Sequence, residues 1–245
     1  MKYKFTDETK VVDAVVLHRI ECVTAFGDVE CGDKGGWIES EKNLSQDGNA
    51  WVNDNAVVRD NAKVSGYAIA SGYAVVRDNA VVFGNTKVGD NAVVSGNATV
   101  SGNARVRDNA KVGDNAVVRD NAVVSGYAIA NGNAVVRDNA KVNDNAVVFG
   151  NTKVGDNADY IVFKNWWSSG RYFTWTRSNN KWKVGCFYGT GDELVAKAYK
   201  DSEKSGREYE RVVKYVNDIL KEEDNDNGNI NKCESRPLRD TLQHE

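Results

Sequence analysis

Hydrophobic and polar positions recur every six residues from Val52 to Ala158, without a single insertion. Counted from Val52, the first position of the unit is Val in sixteen of eighteen units, and the fifth is Ala in all but two. The third position is always Asp or Gly, and the fourth is Asn in all but three units. A period of six is neither the period of a helix nor the two-residue alternation of an ordinary strand. The pattern therefore predicts a short strand and a corner in each unit.

Each unit has a simple physical interpretation as one side of a triangular coil. The Val and the Ala two residues before it point inward, and the residues on either side of the Val point outward. Asp-Asn or Gly-Asn then turns the chain, because Asn and Gly tolerate left-handed backbone angles. Three units close one coil, and parallel stacking pairs each coil with its neighbours. Eighteen units predict about six coils, a prism roughly 29 Å long at about 4.8 Å per layer.

Two units, at residues 88–92 and 154–158, read Val-Gly-Asp-Asn-Ala. The repeat resembles the hexapeptide-repeat, left-handed parallel β-helix family, and the resemblance covers 107 of 245 residues. The lead-in at 32–45 is similar to a subgroup of that family, found in enteric bacteria and phages, whose members are named as transferases without an established activity. The resemblance implies a mainly β fold and side-by-side packing as trimers. It also implies an association with phages or mobile elements, as a virion accessory or as an inhibitor of a host defence system.

The chain before the repeat is predicted to close one end of the β-helix. Residues 1–45 carry alternating apolar segments and a Gly-Asp turn signal, which predict β-hairpins. An open end of a β-helix exposes unpaired backbone groups, so these hairpins are expected to cap the first coil. The β-helix itself is predicted for residues 46–158.

The chain after the repeat is predicted to form a small α+β module at 159–222. A turn signal at 178–181 predicts an antiparallel hairpin, and two capping boxes predict the starts of two helices that pack on it. The boxes are Thr190 with Glu193 and Ser205 with Glu208. The polar, acidic tail at 223–245 is predicted to be disordered.

The outward residue just before each inward Val belongs to a column that runs along one face of the prism. One of the three columns, here the first column, is mostly apolar, is interrupted by Lys111, and ends beside Phe149. An exposed apolar stripe usually indicates an interface, although β-propensity alone also favours such residues. We expect self-association through this column, with a trimer as the first expectation and a dimer as the second. The interface residues are Val57, Val75, Val93, Ile129, Val147 and Phe149.

Charge and composition exclude several classes of protein. The chain has 32 basic and 35 acidic residues, so it has no global field that attracts nucleic acid or an anionic membrane. Within the repeat, six Arg and five Lys face ten Asp, which predicts an ion-paired surface rather than a nucleic-acid track. No apolar run approaches a membrane span and no signal-peptide pattern is present. We expect a soluble cytoplasmic protein, in the host cytosol if it is phage-encoded.

The segment from Phe163 to Tyr188 is the candidate binding region, with nine aromatic residues, five basic residues and no acidic one. Pairing across the hairpin predicts an apolar core face, with Arg177 stacked on Trp182. The opposite face is predicted to be free to bind; it carries Thr174, Thr176 and Lys183. Aromatic and Arg side chains are the usual anchors for a protein or a single-stranded nucleic acid, although these aromatics could also only close the end of the β-helix. The predicted contacts are Trp166, Trp167, Arg171, Arg177, Lys181 and Lys183.

The sequence offers little for catalysis. Many hexapeptide-repeat proteins transfer acyl groups from coenzyme A, and the resemblance implies a histidine base beside a coenzyme groove between subunits. The repeat contains no histidine; His18 lies in the expected cap, where a structural role is predicted, and His244 lies in the tail. The four cysteines form no C-x-x-C pair and are expected to be reduced, and neither a metal cluster nor a nucleotide loop is present.

The sequence therefore favours a non-catalytic, oligomeric β-helix protein, without cofactor or metal, that presents its basic aromatic C-terminal module to a protein partner. The first alternative is a coenzyme-A-dependent acyltransferase. The second is a protein that binds nucleic acid through the same C-terminal module.

Overall fold

A computed structural model describes residues 1–234, with side chains described as far as residue 223. Its main feature is a parallel β-helix of eighteen short strands, β4–β21, one for each repeat unit. The inward Val and Ala side chains form one continuous buried core. The predicted fold is therefore confirmed, and the strands pair in the predicted columns.

Each face of the β-helix is a parallel sheet of stacked strands. The first face, which carries the first column, contains Val57–Val58, Val75–Val76, Val93–Val94, Lys111–Val112, Ile129–Asn131 and Val147–Phe149. The second face contains Lys63–Val64, Val81–Val82, Thr99–Val100, Val117–Val118, Val135–Val136 and Lys153–Val154. The third face contains Trp51–Val52, Ile69–Ala70, Lys87–Val88, Arg105–Val106, Val123–Val124 and Lys141–Val142.

The corners explain the Asp or Gly at the third position of the unit. Nine of these Asp residues adopt positive φ angles between 52° and 62°, a region that Gly and Asp tolerate better than other residues. The Asp carboxylate then receives a hydrogen bond from the coil above; Asp78, for example, accepts from the Gly96 N–H at 2.9 Å. The following Asn side chains form ladders, as where Asn97 Nδ2 donates to Asn115 Oδ1 at 3.0 Å.

The N-terminal strands are β1 (Tyr3–Val12), β2 (Val15–Cys22) and β3 (Lys34–Ile38), which pair antiparallel in that order. β3 also pairs in parallel with Val57–Val58 on the first face, and Leu44 forms a parallel bridge to Val64. The β-helix therefore begins before the regular repeat, and the first face has seven layers where the repeat predicted about six. A short 3₁₀ helix at Glu41–Asn43 lies within this first turn.

The C-terminal sheet contains β22 (Tyr160–Lys164), β23 (Tyr172–Thr176), β24 (Lys181–Val184) and β25 (Phe187–Gly189), in that order. Trp175 pairs with Trp182, whereas the predicted two-residue turn sets Arg177 opposite Trp182, so the predicted register was wrong by two residues. The connection is longer than the predicted two-residue turn, because a 3₁₀ turn at Arg177–Asn179 precedes Asn180, which has a φ of 48°. A second 3₁₀ turn, at Asn157–Asp159, leads from the last coil into β22.

This sheet closes the last coil, whose backbone N–H groups have no further coil above them. Three side chains supply acceptors to the N–H groups of three of its strand residues, one on each face of the β-helix. Asn157 Oδ1 accepts from the Lys141 N–H at 3.0 Å on the third face. Thr174 Oγ1 accepts from the Val147 N–H at 2.9 Å on the first face, and Ser178 Oγ accepts from the Lys153 N–H at 2.7 Å on the second.

Two helices follow, α1 (Gly191–Asp201) and α2 (Glu203–Glu234). The capping box of Thr190 and Glu193 begins α1 as predicted. The predicted box at Ser205 and Glu208 was wrong, because both residues lie inside α2 and the Ser205 N–H donates to Ser202 Oγ at 3.1 Å. α2 extends to Glu234, into the segment 223–245 that was predicted to be disordered, and 235–245 lie outside the described residues.

The chain separates into two compact units, one of residues 1–188 and a second that begins at Gly189. The β-helix and most of the C-terminal sheet belong to the first unit, and both helices belong to the second. The packing of the helices on the hairpin stays a prediction. Neither α1 nor α2, as far as they are described, has the length and apolar character that a bilayer span requires.

Candidate functional site

The basic aromatic loop, residues 165–171, connects β22 to β23 and is fixed by the hydrogen bonds of one buried residue. The Asn165 N–H donates to the Arg171 carbonyl at 2.7 Å, and the Asn165 carbonyl accepts from the Gly170 N–H at 2.7 Å. Asn165 Oδ1 accepts from both the N–H and the hydroxyl of Ser168 at 3.0 Å. Backbone hydrogen bonds therefore close the base of the loop, and the Asn165 side chain holds its interior.

The two adjacent tryptophans of this loop have opposite roles. Trp167 is 8% exposed, and its ring meets the Phe173 ring edge-on at 6.2 Å between centroids. Trp166 is 73% exposed and stands perpendicular to Trp167 at 6.0 Å. Trp167 therefore anchors the loop, and Trp166 projects from it on a fixed support.

The other predicted contacts divide between the surface and the interior. Arg171 is exposed, whereas Lys181 is half-buried. The Lys183 ammonium lies 4.5 Å from the centre of the Phe149 ring, against the end of the β-helix. The Arg177 guanidinium lies 5.8 Å from the Trp175 ring, so the predicted stacking on Trp182 was wrong. Arg177 is also used structurally, because its Nε donates to the Ala158 carbonyl at 3.2 Å.

The polar face of the hairpin is not free, contrary to expectation. Thr174 and Thr176 are buried, and Thr174 accepts the hydrogen bond from the first face. The physical reason is that the last coil presents unpaired N–H donors, which need acceptors on whatever element covers them. This polar face therefore closes the β-helix, whereas the alternative had assigned that role to the aromatic residues.

What remains at the surface is a basic aromatic patch around Trp166. Lys164 Nζ lies 5.6 Å from the centre of the Tyr172 ring, and both side chains are exposed. Arg171, in the same loop as Trp166, is also exposed, and the chain has no acidic residue between Asp159 and Asp192. Lys164 and Tyr172 were absent from the predicted contacts, although the composition of the segment pointed to them.

The first face carries a groove of about 580 Å³ over the first column. Its floor includes Val75, Val93 and Ile129, and the turn between β1 and β2 overhangs one end, where Arg59 forms an ion pair with Asp13 at 2.8 Å. Val57 is only 7% exposed there. At the other end Phe149 packs edge-on against Tyr188 at 5.1 Å. Five of the six predicted interface residues are therefore partly exposed: Val75, Val93, Ile129, Val147 and Phe149.

The histidine considered for catalysis lies within β2. The His18 ring stacks on the Phe5 ring, with 4.8 Å between centroids and 20° between planes. Phe5 in turn packs against the core of the β-helix. The imidazole is therefore engaged in an intramolecular stack.

Comparison with known proteins gives one partial match. No family model matches the chain. Over 61 residues it is 34% identical to the "Uncharacterized acetyltransferase YdcK" of Escherichia coli (strain K12), a match that covers 22% of this chain and 19% of that protein. The stacked six-residue coils and this similarity fit a hexapeptide-repeat parallel β-helix. They give no support to the expected association with phages or with inhibition of host defence.

Proposed function

We propose that this hexapeptide-repeat β-helix protein is a non-catalytic binding protein that presents its basic aromatic loop to a protein partner. The observation that carries the proposal is the geometry of the two tryptophans. A large indole projects into solvent from a loop whose backbone is fixed by Asn165 and whose base is anchored by Trp167.

Exposure of this kind is unfavourable for the isolated protein, since an indole surface prefers to be removed from water. Because the loop is already ordered, a partner that covers Trp166 immobilises few additional groups, and more of the burial energy appears as affinity. Trp and Arg side chains are also the residues most enriched among those that dominate binding energy.

Affinity capture tests the proposal, with the wild-type chain compared with the double variant Trp166→Ala/Arg171→Ala. We expect partner recovery to fall about tenfold or more, because truncation of such anchors typically removes at least about 2 kcal/mol. Trp167 is retained, so the loop keeps its support. The matched control is Arg119→Ala/Tyr127→Ala, which removes an exposed tyrosine and an arginine from the β-helix. Identical partners and yields from wild type and the loop variant would contradict the proposal.

An acyltransferase is the second candidate, and the partial similarity to a protein named as an acetyltransferase favours it. The groove on the first face is lined by Arg59, Arg77 and Lys111 together with Asp13 and Asp114, and Arg77 and Lys111 are the cations there that an anionic ligand would contact. The position of His18 argues against the acyltransferase, because its ring is stacked on Phe5 and does not line the groove. Titration calorimetry with acetyl-coenzyme A separates the two candidates, because saturable binding that Arg77→Ala weakens would favour the enzyme.

A further inference from the structure

β22 is an edge strand whose outer side is unpaired. The sheet order leaves β23 as its neighbour on one side. The Asn165 N–H donates to the Arg171 carbonyl across this ladder. Along an antiparallel pair, every second residue directs its N–H and C=O towards the neighbouring strand. The backbone groups of Ile161 and Phe163 therefore also point towards β23. The backbone groups of Val162 then point outward, and they form no hydrogen bond within the described part of the chain.

Proteins usually protect such an edge with proline, a bulge, or charged side chains. β22 reads Tyr-Ile-Val-Phe-Lys, with high β-propensity, no proline, and a single charge at its end. Five extended residues present an edge about 17 Å long. The strand is therefore suited to pairing with another extended segment.

A groove of about 560 Å³ runs beside this edge, with Ile161 and Val162 on one wall and the corner at 143–145 on the other. At the corners from Asn49 to Tyr127 the N–H donates to the coil above, as where Tyr127 donates to the Asp144 carbonyl at 2.6 Å. Asn145 occupies the same corner in the last coil. Among the described residues, no acceptor receives its N–H or that of Asn143. Both walls of the groove therefore carry unpaired backbone groups.

The charges beside the groove differ at its two ends. Asp144 lies at the end near Tyr160, the first residue of β22, whereas Lys164 is the last residue of β22. An extended peptide with an acidic residue near Lys164 would pair its backbone with β22 and its carboxylate with the Lys164 ammonium.

We propose that this groove binds an extended, acidic segment of a partner protein by β-strand addition to β22. The inference rests on the proposed function, because it specifies how a protein partner reaches the basic aromatic loop. Backbone pairing along β22 supplies affinity, and Lys164 selects the acidic end.

Two synthetic peptides test this mode with the full chain: acetyl-EVTVTV-amide and acetyl-VTVTVE-amide, which place the acidic residue at either end of an alternating strand. We expect one of them to bind saturably by fluorescence anisotropy, and its analogue with N-methyl groups at alternate residues to bind at least tenfold more weakly. On binding, the amides of Val162, Asn143 and Asn145 should gain protection from hydrogen exchange.

Three variants make the test specific. Val162→Pro removes the outward N–H and should weaken binding about tenfold, whereas Val162→Thr retains it and should bind within about twofold of wild type. Lys164→Glu should reverse the charge preference of the groove, so that a peptide with Lys in place of its Glu binds better than the peptide with Glu. This gain does not depend on how well the proline variant folds.

The outcomes separate this inference from the proposed function. Equal binding by Val162→Pro and Val162→Thr, protection confined to residues 165–171, or no binding by either peptide would overturn strand addition. If partner capture still depended on Trp166 and Arg171, the proposed function would stand. Peptide binding along β22 together with unchanged capture by the loop variant would instead support strand addition and contradict the loop as anchor.

Discussion

At the residue scale, the two ends of the β-helix are chemically opposite. Each coil donates its N–H groups to the carbonyls of the coil above, as where Asn55 donates to Gly72 at 2.9 Å. The first coil is therefore left with free carbonyls and the last with free N–H groups. Donors close the first end, including Lys2 Nζ to the Ala50 carbonyl at 2.8 Å and the Tyr3 hydroxyl to the Leu44 carbonyl at 2.7 Å.

Lys2 gives the stability a predictable dependence on pH. Burial lowers its pKa to about 8, from 10.5 in an exposed lysine, and the nearby Asp47 only partly opposes this. Between these two pH values the unfolded chain holds more protons on Lys2 than the folded protein, so the free energy of unfolding should rise with pH across this window. Urea denaturation of wild type and Lys2→Met at pH 7.5 and 9.5 measures the effect.

The wild-type advantage over Lys2→Met should be larger at pH 9.5 than at pH 7.5. Lys4→Met, which removes an exposed ammonium from the same strand, is the control and should show no such change. A difference between wild type and Lys2→Met that is equal at both pH values would contradict the assignment.

At the scale of elements, the C-terminal sheet covers the last coil, and it needs side-chain acceptors because that coil presents N–H donors. Replacing Thr174 with Val retains the shape but leaves the Val147 N–H without its acceptor. Because this site is buried, we expect the loss to lower the free energy of unfolding by about 1–3 kcal/mol. Chemical denaturation measures the change.

Thr99→Val is the matched control, because Thr99 lies on the outer surface of the second face; it should change stability by no more than about 0.5 kcal/mol. Thr174→Ser should recover most of the lost stability, since it restores the hydroxyl acceptor. A Thr174→Val variant as stable as wild type would show that the cap does not depend on this hydrogen bond.

The regular strands were predictable because every position of the repeat has a single environment that recurs eighteen times. Ile38 and Leu44 have the same six-residue spacing, but two extra residues between Leu44 and Val52 hid the first turn. The capping-box spacing of Ser205 and Glu208 predicted the start of α2 at a point inside the helix, which begins at Glu203. The burial of Thr174 depends on the N–H donors of a coil distant in sequence, which local pairing rules do not include.

The composition of the chain predicted where the candidate site lies, but it did not predict which of its side chains face solvent. Trp166 and Trp167 are adjacent, and the sequence does not show that Trp167 packs on Phe173 while Trp166 faces solvent. Likewise, the sequence located Arg177 and Lys183 within a basic segment but could not show that Trp175 and Phe149 engage them.

At the scale of the whole molecule, the open part of the first column supports the proposed self-association. Val93→Lys places a charge at its centre, and the fold should tolerate it because Lys occupies the same repeat position five times, for example at Lys111. We expect a trimer for wild type and a smaller species for Val93→Lys by mass measurement in solution. Val117→Lys on the second face is the control and should keep the oligomeric mass of the wild type. A monomeric wild type would contradict the proposed interface.

The three capping acceptors, Asn157, Thr174 and Ser178, each serve a different face. Adding or removing one six-residue unit would rotate the end of the β-helix by a third of a turn, and each acceptor would then meet the wrong face. Deleting residues 93–110, one whole coil, should preserve cooperative thermal unfolding followed by circular dichroism. Deleting 93–104 should abolish it, and equal melting of the two deletions would contradict this matching. The length of the β-helix can therefore change only by whole coils, in steps of about 4.8 Å.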